Sequence, residues 1–190
     1  MNKKTPPVGL VTMPLKEMYP VIAESLRQGQ EVVLTITGNS MSPYLRHRRD
    51  QVVLVAADPA ALQPGDVPLI LRDNGQFVLH RIIERDDGTA CHRWGQRRTY
   101  ASAATALQYT LLGDAQWITE PHVRPDQILA VATAFIRKGR RVECGSSAYM
   151  HNRLLWHRLL PLRRVWMWWD RRLNWRFRRL FPYQFKEYEG

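Results

Sequence analysis

The chain has 190 residues, 45% of them hydrophobic, with 28 Lys and Arg against 17 Asp and Glu for a net charge of +11. That length builds one good-sized core plus an appendage and leaves no room for a second full domain. The charge points to an anionic partner, nucleic acid or a lipid surface, unless it is simply solvated. Cys91 and Cys144 have neither metal-ligand nor redox spacing, so they make no case for an oxidising compartment. They read as free thiols, a single disulfide being the alternative.

In chain order, residues 1–12 read as disordered. Met1-Asn2-Lys3-Lys4 is followed by no apolar stretch long enough for a signal peptide, and no window reaches the roughly 18–20 apolar residues of a spanning helix. Leu15, Met18, Val21, Ile22 and Leu26 predict an amphipathic helix from Met13 to Leu26, closed by Gln28-Gly29-Gln30. One short helix is too little for a helix-turn-helix domain. Strands are predicted at Glu31–Thr37, Gln51–Ala56, Val67–Leu71, Gln76–Glu84, Thr89–Trp94, Tyr109–Leu112 and Ile128–Arg137. Turns at Gln63-Pro64-Gly65-Asp66, Arg72-Asp73-Asn74-Gly75 and Asp86-Asp87-Gly88 separate several of them. Residues 13–145 are therefore expected to form a mostly β, antiparallel domain, with Gly95–Gln108 as a less regular insert.

Two motifs within that domain carry chemistry. Gly38-Asn39-Ser40-Met41-Ser42-Pro43 follows the first strand, and Val78-Leu79-His80-Arg81-Ile82 lies in the fourth. A serine hydroxyl is a useful nucleophile at neutral pH only when a neighbouring group takes its proton, and neutral imidazole is the usual acceptor. Alternation puts Val78, His80 and Ile82 on one face, where apolar neighbours favour the neutral ring, and turns Arg81 away toward a structural carboxylate. The bland readings are an ordinary strand-to-turn junction plugged by Met41 and a satisfied core histidine.

The Gly-x-Ser-Met-x-Pro element, the Leu-Arg-Asp-Asn-Gly turn and Val-Leu-His-Arg-Ile together resemble the S24/S26 serine peptidases, the group of signal peptidases and SOS-type self-cleaving repressors. The resemblance spans roughly Glu31 to Arg141 and is narrowest to small stand-alone bacterial members. Histidine at position 80 is similar to the branch that uses histidine, where most bacterial members have lysine. The resemblance implies that Ser40 is the nucleophile and His80 the base, and that Met41 packs beneath the site. It also implies an extended peptide substrate with small side chains before the scissile bond. Pro43 and Arg81 belong to the same motifs. His47, His92, His122, His151 and His157 have no paired ligand spacing, so no metal site and no cofactor are expected. Members of the signal-peptidase group carry a spanning helix near the N-terminus, and the lack of one here is a departure. Arg49-Asp50 stands where the family has Gly-Asp.

A histidine base needs a partner that fixes its tautomer. Asp114, in Leu112-Gly113-Asp114-Ala115, resembles the family's Gly-Asp element after the base strand and is the expected partner, an Asx turn being the alternative. Asp50, Asp66 and Asp126 are competing carboxylates. Gly38 occupies the place two residues before the nucleophile where many signal peptidases have a serine, so the oxyanion hole is expected from the backbone amides of Gly38, Asn39 and Ser40.

From His151 onward ten basic residues face three acidic ones, so +7 of the charge lies in this stretch. Leu162, Val165, Trp166, Trp169, Leu173, Phe177 and Leu180 recur at helical spacing. Arg163, Arg164, Arg171 and Arg172 fall mostly off that stripe. Residues 150–190 thus predict a basic, Trp-rich amphipathic helical tail. It could lie on an anionic membrane surface, pack on its own domain or a second copy, or bind nucleic acid; the tryptophan density favours lipid over nucleic acid. The combined expectation is a serine endopeptidase, cytoplasmic and peripheral on the inner membrane surface. A self-cleaving or catalytically idle regulatory scaffold acting through the tail is the alternative.

Overall fold

The computed structural model describes residues 14–88, 91–93, 96–98, 106–116, 118–147 and 149–150, with 91–93 and 96–98 described as backbone only. The proposed disordered start, most of the Gly95–Gln108 insert and the tail with Trp166, Trp169, Arg163, Arg164, Arg171 and Arg172 lie outside them. The chain divides into two compact units, Met1–Cys144 and Gly145–Gly190. The elements that position the candidate site belong to the first.

That unit is mostly β. Helix α1 (Leu15–Arg27) buries Ile22 and Leu26, while Val21, which the sequence places on the apolar stripe, is 70% exposed. Its end is closed by Gly29, whose φ of +74° lies in the left-handed region that glycine adopts without strain. Eleven described strands follow: β1 (Val32–Thr35), β2 (Gln51–Ala56), β3 (Pro68–Leu71), β4 (Phe77–Leu79), β5 (Arg81–Asp86), β6 (Cys91–Arg93), β7 (Gln96–Arg98), β8 (Gln108–Leu112), β9 (Glu120–Val123), β10 (Ile128–Arg137) and β11 (Arg140–Glu143). One sheet has the order β1-β2-β10-β3-β4, with β11 also on β10, and the other has the order β7-β6-β5-β8-β9. All described pairings are antiparallel.

Central strands look central in the sequence. Val52, Val53 and Leu54 of β2 are an unbroken buried run, and β10 buries Ala130, Ala132 and Ala134 in alternation. The predicted strand Gln76–Glu84, in contrast, is two strands in two sheets, divided at His80. The β3–β4 hairpin, closed by Arg72 N–H donating to the Gln76 carbonyl at 2.9 Å, holds Phe77–Leu79 in the first sheet. Beyond His80, Ile82 N–H donates to the Asp66 carbonyl at 2.9 Å and Gly65 N–H to that of Ile82 at 2.7 Å, drawing the chain across to β8. Apolar residues continue through the crossing, from Val78 and Leu79 to Ile82 and Ile83, so the sequence pattern does not reveal it.

Ile82 then joins the core between the sheets, with Ile70 and Ile128 from one and Tyr109, Leu111 and Val123 from the other. Ile82 is fully buried, so Ile82→Ala is expected to cost about 2–5 kcal/mol in urea unfolding, through lost transfer energy and the cavity left behind. A loss under about 1 kcal/mol would show that this crossing does not anchor the two sheets.

Candidate functional site

Four antiparallel steps separate β1 from β4 across the first sheet, so these two edge strands run in the same direction. Their C-terminal ends lie at one end of the sheet. The chain leaves β1 toward Ser40 and leaves β4 directly into His80. The sheet curls until both edges line a single cavity of about 250 Å³, walled by Leu34 and Thr35 on one side and Phe77–Leu79 on the other. Ser40 and His80 both line it, over a floor that includes Met41, Val52 and Leu69. Residues forty apart in sequence thus come to line one groove, each delivered from the end of an edge strand.

The loop that carries Ser40 is held from several sides. Gly38 has a φ of +94°, and its N–H donates to His47 Nδ1 at 2.9 Å. The Ser42–Pro43 peptide is cis, Ser42 N–H donates to the Asn39 carbonyl, and Leu45 N–H donates to that of Met41. Met41 and Leu45 are buried beneath the loop. Asp50, fully buried, accepts from Arg46 N–H at 2.9 Å and from the Arg49 guanidinium, so Arg49-Asp50 makes a closed ion pair. Burial alone would raise the Asp50 carboxyl, but its hydrogen bonds with Arg49 and the backbone outweigh that and hold it below its ordinary value.

On the far side, Ala115 N–H donates to the Ser40 carbonyl at 2.7 Å. Gly113 leaves room for that approach: a Cβ there would lie 2.9 Å from the same carbonyl oxygen, which is backbone. Gly113→Ala is therefore expected to shift Ser40 and destabilise the fold by about 1–3 kcal/mol in urea unfolding. Unchanged unfolding would contradict this packing.

His80 is 2% exposed, and its Nδ1 lies 3.2 Å from Glu120 Oε2. Glu120, the first residue of β9, is in turn forked by Arg72, Nε to Oε1 at 2.5 Å and Nη2 to Oε2 at 2.8 Å. Arg72 holds the Glu120 carboxyl below its usual range, with burial opposing and His80 assisting. An ionised carboxylate only accepts, so the neutral imidazole carries its proton on Nδ1 and leaves the Nε2 lone pair for a hydroxyl. Burial pushes His80 below its ordinary value of 6.5, Glu120 and Asp114 pulling the other way and Arg72 adding to the fall. Between 6.5 and the lower folded value the unfolded ring binds more protons than the folded one. The His80 contribution to stability is therefore full above about pH 6.5 and is lost as the pH falls through the folded value. In His80→Gln the drop in urea midpoint across that window should shrink; an identical drop would contradict it.

Asp114 does not orient His80. Its oxygens are taken by Arg81, Nε to Oδ1 at 2.9 Å and Nη2 to Oδ2 at 2.8 Å, while Arg81 Nη1 donates to the Gly65 carbonyl. Both side chains are about 95% buried. Arg81, the next residue in the chain after His80, takes both carboxylate oxygens, and neither of them hydrogen-bonds to His80. Asp50, Asp66 and Asp126 likewise serve local turns: Asp66 accepts from Gln63 N–H and Asp126 pairs with Arg124.

The oxyanion set also changes. The Gly38 amide is committed to His47 and drops out. The amides of Asn39 and Ser40 donate no hydrogen bond among the described residues, which leaves those two as candidate donors. No hydrogen bond joins Ser40 Oγ to His80 among the described residues. Glu120 and Arg72 escape sequence reasoning. Arg72 is visible only as part of a hairpin turn, and Ile118-Thr119-Glu120-Pro121 carries no motif.

Compared with known proteins, the chain matches no family model, and no curated protein is found to be similar to it. No helix among the described residues is long and apolar enough to cross a membrane.

Proposed function

We propose that the protein is a serine endopeptidase of the S24/S26 type, with Ser40 as nucleophile, His80 as general base and Glu120 as the carboxylate that orients it. The observation that carries this reading is the shared cavity: Ser40 and His80 line it together, and the His80 Nδ1 is already engaged by a carboxylate. In the proposed cycle His80 Nε2 takes the Ser40 proton as Oγ attacks the peptide carbonyl. The oxyanion is met by the amides of Asn39 and Ser40, and the imidazolium returns its proton to the leaving amine. Water, deprotonated by His80, then hydrolyses the acyl-enzyme.

Among the described residues the outer edges of β1 and β4 pair with no further strand and both line the cavity, so the proposed substrate is an extended peptide segment of a precursor that adds as a strand between them. Attachment to an anionic membrane surface through the basic, Trp-rich tail completes the proposal. A precursor encoded next to this protein is the substrate to try: cleavage should be present with the wild type and lost in Ser40→Ala and in His80→Gln. Retained cleavage in both variants would overturn the reading. The base also fixes a pH dependence. The acid limb of kcat/KM should fall below 6.5, because the free-enzyme base is the depressed His80. An acid limb well above it would assign the limb to another group.

A further inference from the structure

Glu120 Oε2 accepts two hydrogen bonds at once, from Arg72 Nη2 at 2.8 Å and from His80 Nδ1 at 3.2 Å, while Oε1 is taken by Arg72 Nε. Resting on the Ser40/His80 reading, we infer that Arg72 is a positioning residue for the base: its fork fixes the carboxylate with one oxygen on Nδ1 and cancels its charge, so Glu120 sets the tautomer without converting the ring to a cation.

The two jobs of a carboxylate beside a histidine normally come together. A bare acid orients the ring and also stabilises imidazolium, which brings protonation up into the neutral range. Here the guanidinium separates them. Arg72 forms its bidentate pair with an oxygen geometry that leaves Oε2 a lone-pair direction for Nδ1, and guanidinium stays charged at every working pH. Arg72 itself is anchored by a third bond, Nη1 to Gln76 Oε1 at 3.2 Å, at the closing pair of the β3–β4 hairpin. The hairpin that delivers His80 to the site therefore also delivers the group that steadies its partner.

The charged groups that act on His80 are Glu120 from β9, Arg72 from the end of β3 and Asp114 from the turn after β8. Asp114 is neutralised by Arg81. Two ion pairs thus surround a neutral base, which fits a ring that remains able to accept a proton under mildly acidic conditions.

The test reads the ring directly and needs no substrate. Full-length protein labelled with ¹⁵N-histidine is titrated by long-range ¹H–¹⁵N NMR, and His80 is assigned among the six histidines by its absence in His80→Gln. In the wild type the neutral ring should be protonated on Nδ1. Arg72→Met should raise the titration midpoint of His80 while keeping that tautomer. Arg72→Gln, which keeps a donor for Glu120, should raise it too and serves if the first variant fails to fold. Glu120→Gln should lower the midpoint and let both tautomers appear, because an amide can accept or donate. A midpoint unmoved or lowered in the Arg72 variants, or a wild-type ring protonated on Nε2, overturns the inference. If the shifts occur but no peptide is ever cleaved, the peptidase reading falls and the role of Arg72 in setting the ring stands.

Discussion

On the proposed peptidase reading, Ser40→Ala is expected to lower peptide hydrolysis by about 10⁶-fold while leaving the unfolding midpoint within error of the wild type. The size of the loss follows from covalent catalysis: without Oγ there is no acyl-enzyme, and the remaining donors and groove supply only the residual rate of a site without its nucleophile. The neutrality toward folding follows from the structure. Among the described residues no group hydrogen-bonds to Ser40 Oγ, so alanine leaves no buried partner unsatisfied. His80→Gln should cost a similar factor, and the double variant should cost little more than either, because nucleophile and base act as one unit. His80→Ala is the poorer experiment, since emptying a site 2% exposed adds a cavity to the chemical loss. Steady-state turnover and urea unfolding on the same preparations separate the two effects. A Ser40→Ala protein that loses stability but keeps turnover would reverse the assignment.

The second large effect is a contrast between two carboxylates. Asp114→Ala is expected to destabilise the fold by about 3–5 kcal/mol, because it strands the Arg81 guanidinium in a site about 95% buried. That is a large fraction of the roughly 5–15 kcal/mol by which such domains are stable, so the variant should unfold at much lower urea concentration. Glu120→Gln should change stability far less. The side chains of Arg72 and Glu120 are 32% and 22% exposed, so solvent screens the pair and the freed guanidinium can rehydrate. Its cost should instead fall on turnover, by about 10⁴-fold, as the imidazole loses the acceptor that selects its tautomer. The opposite pattern, with Asp114 governing turnover and Glu120 governing stability, would restore Asp114 as the orienting acid.

Much of this architecture is legible in the sequence because it depends on local pattern. The continuous apolar run of β2, the long alternation of β10 and the amphipathic α1 are each visible in a window of a dozen residues. Ser40 and His80 stand out because each sits in a dense motif. Long-range placement is not encoded in such windows. His80 reads as mid-strand, yet it occupies the crossing between two sheets, because alternation is blind to which sheet receives the strand. β9 is hidden by Pro121 and a left-handed His122 with φ of 60°, and only Val123 of its four residues is buried. Glu120 is hidden with it.

The two misassigned groups have related causes. Asp114 follows a glycine at an inviting distance from the base, but both its oxygens go to Arg81, the neighbour of His80 in the same motif. Gly38 supplies the left-handed turn that aims Ser40, and that same turn directs its amide to His47. A residue chosen for its backbone conformation has its donor committed by the same geometry.

The central claim, that Ser40 cleaves peptides with His80 as its base, is tested most directly by digesting a diverse mixture of unfolded peptides with the full-length protein and reading the new termini by mass spectrometry. The account predicts new termini from the wild type at a recurring sequence context, and none from Ser40→Ala or His80→Gln prepared identically. The same termini from Ser40→Ala, or no termini from a correctly folded wild type, would contradict it.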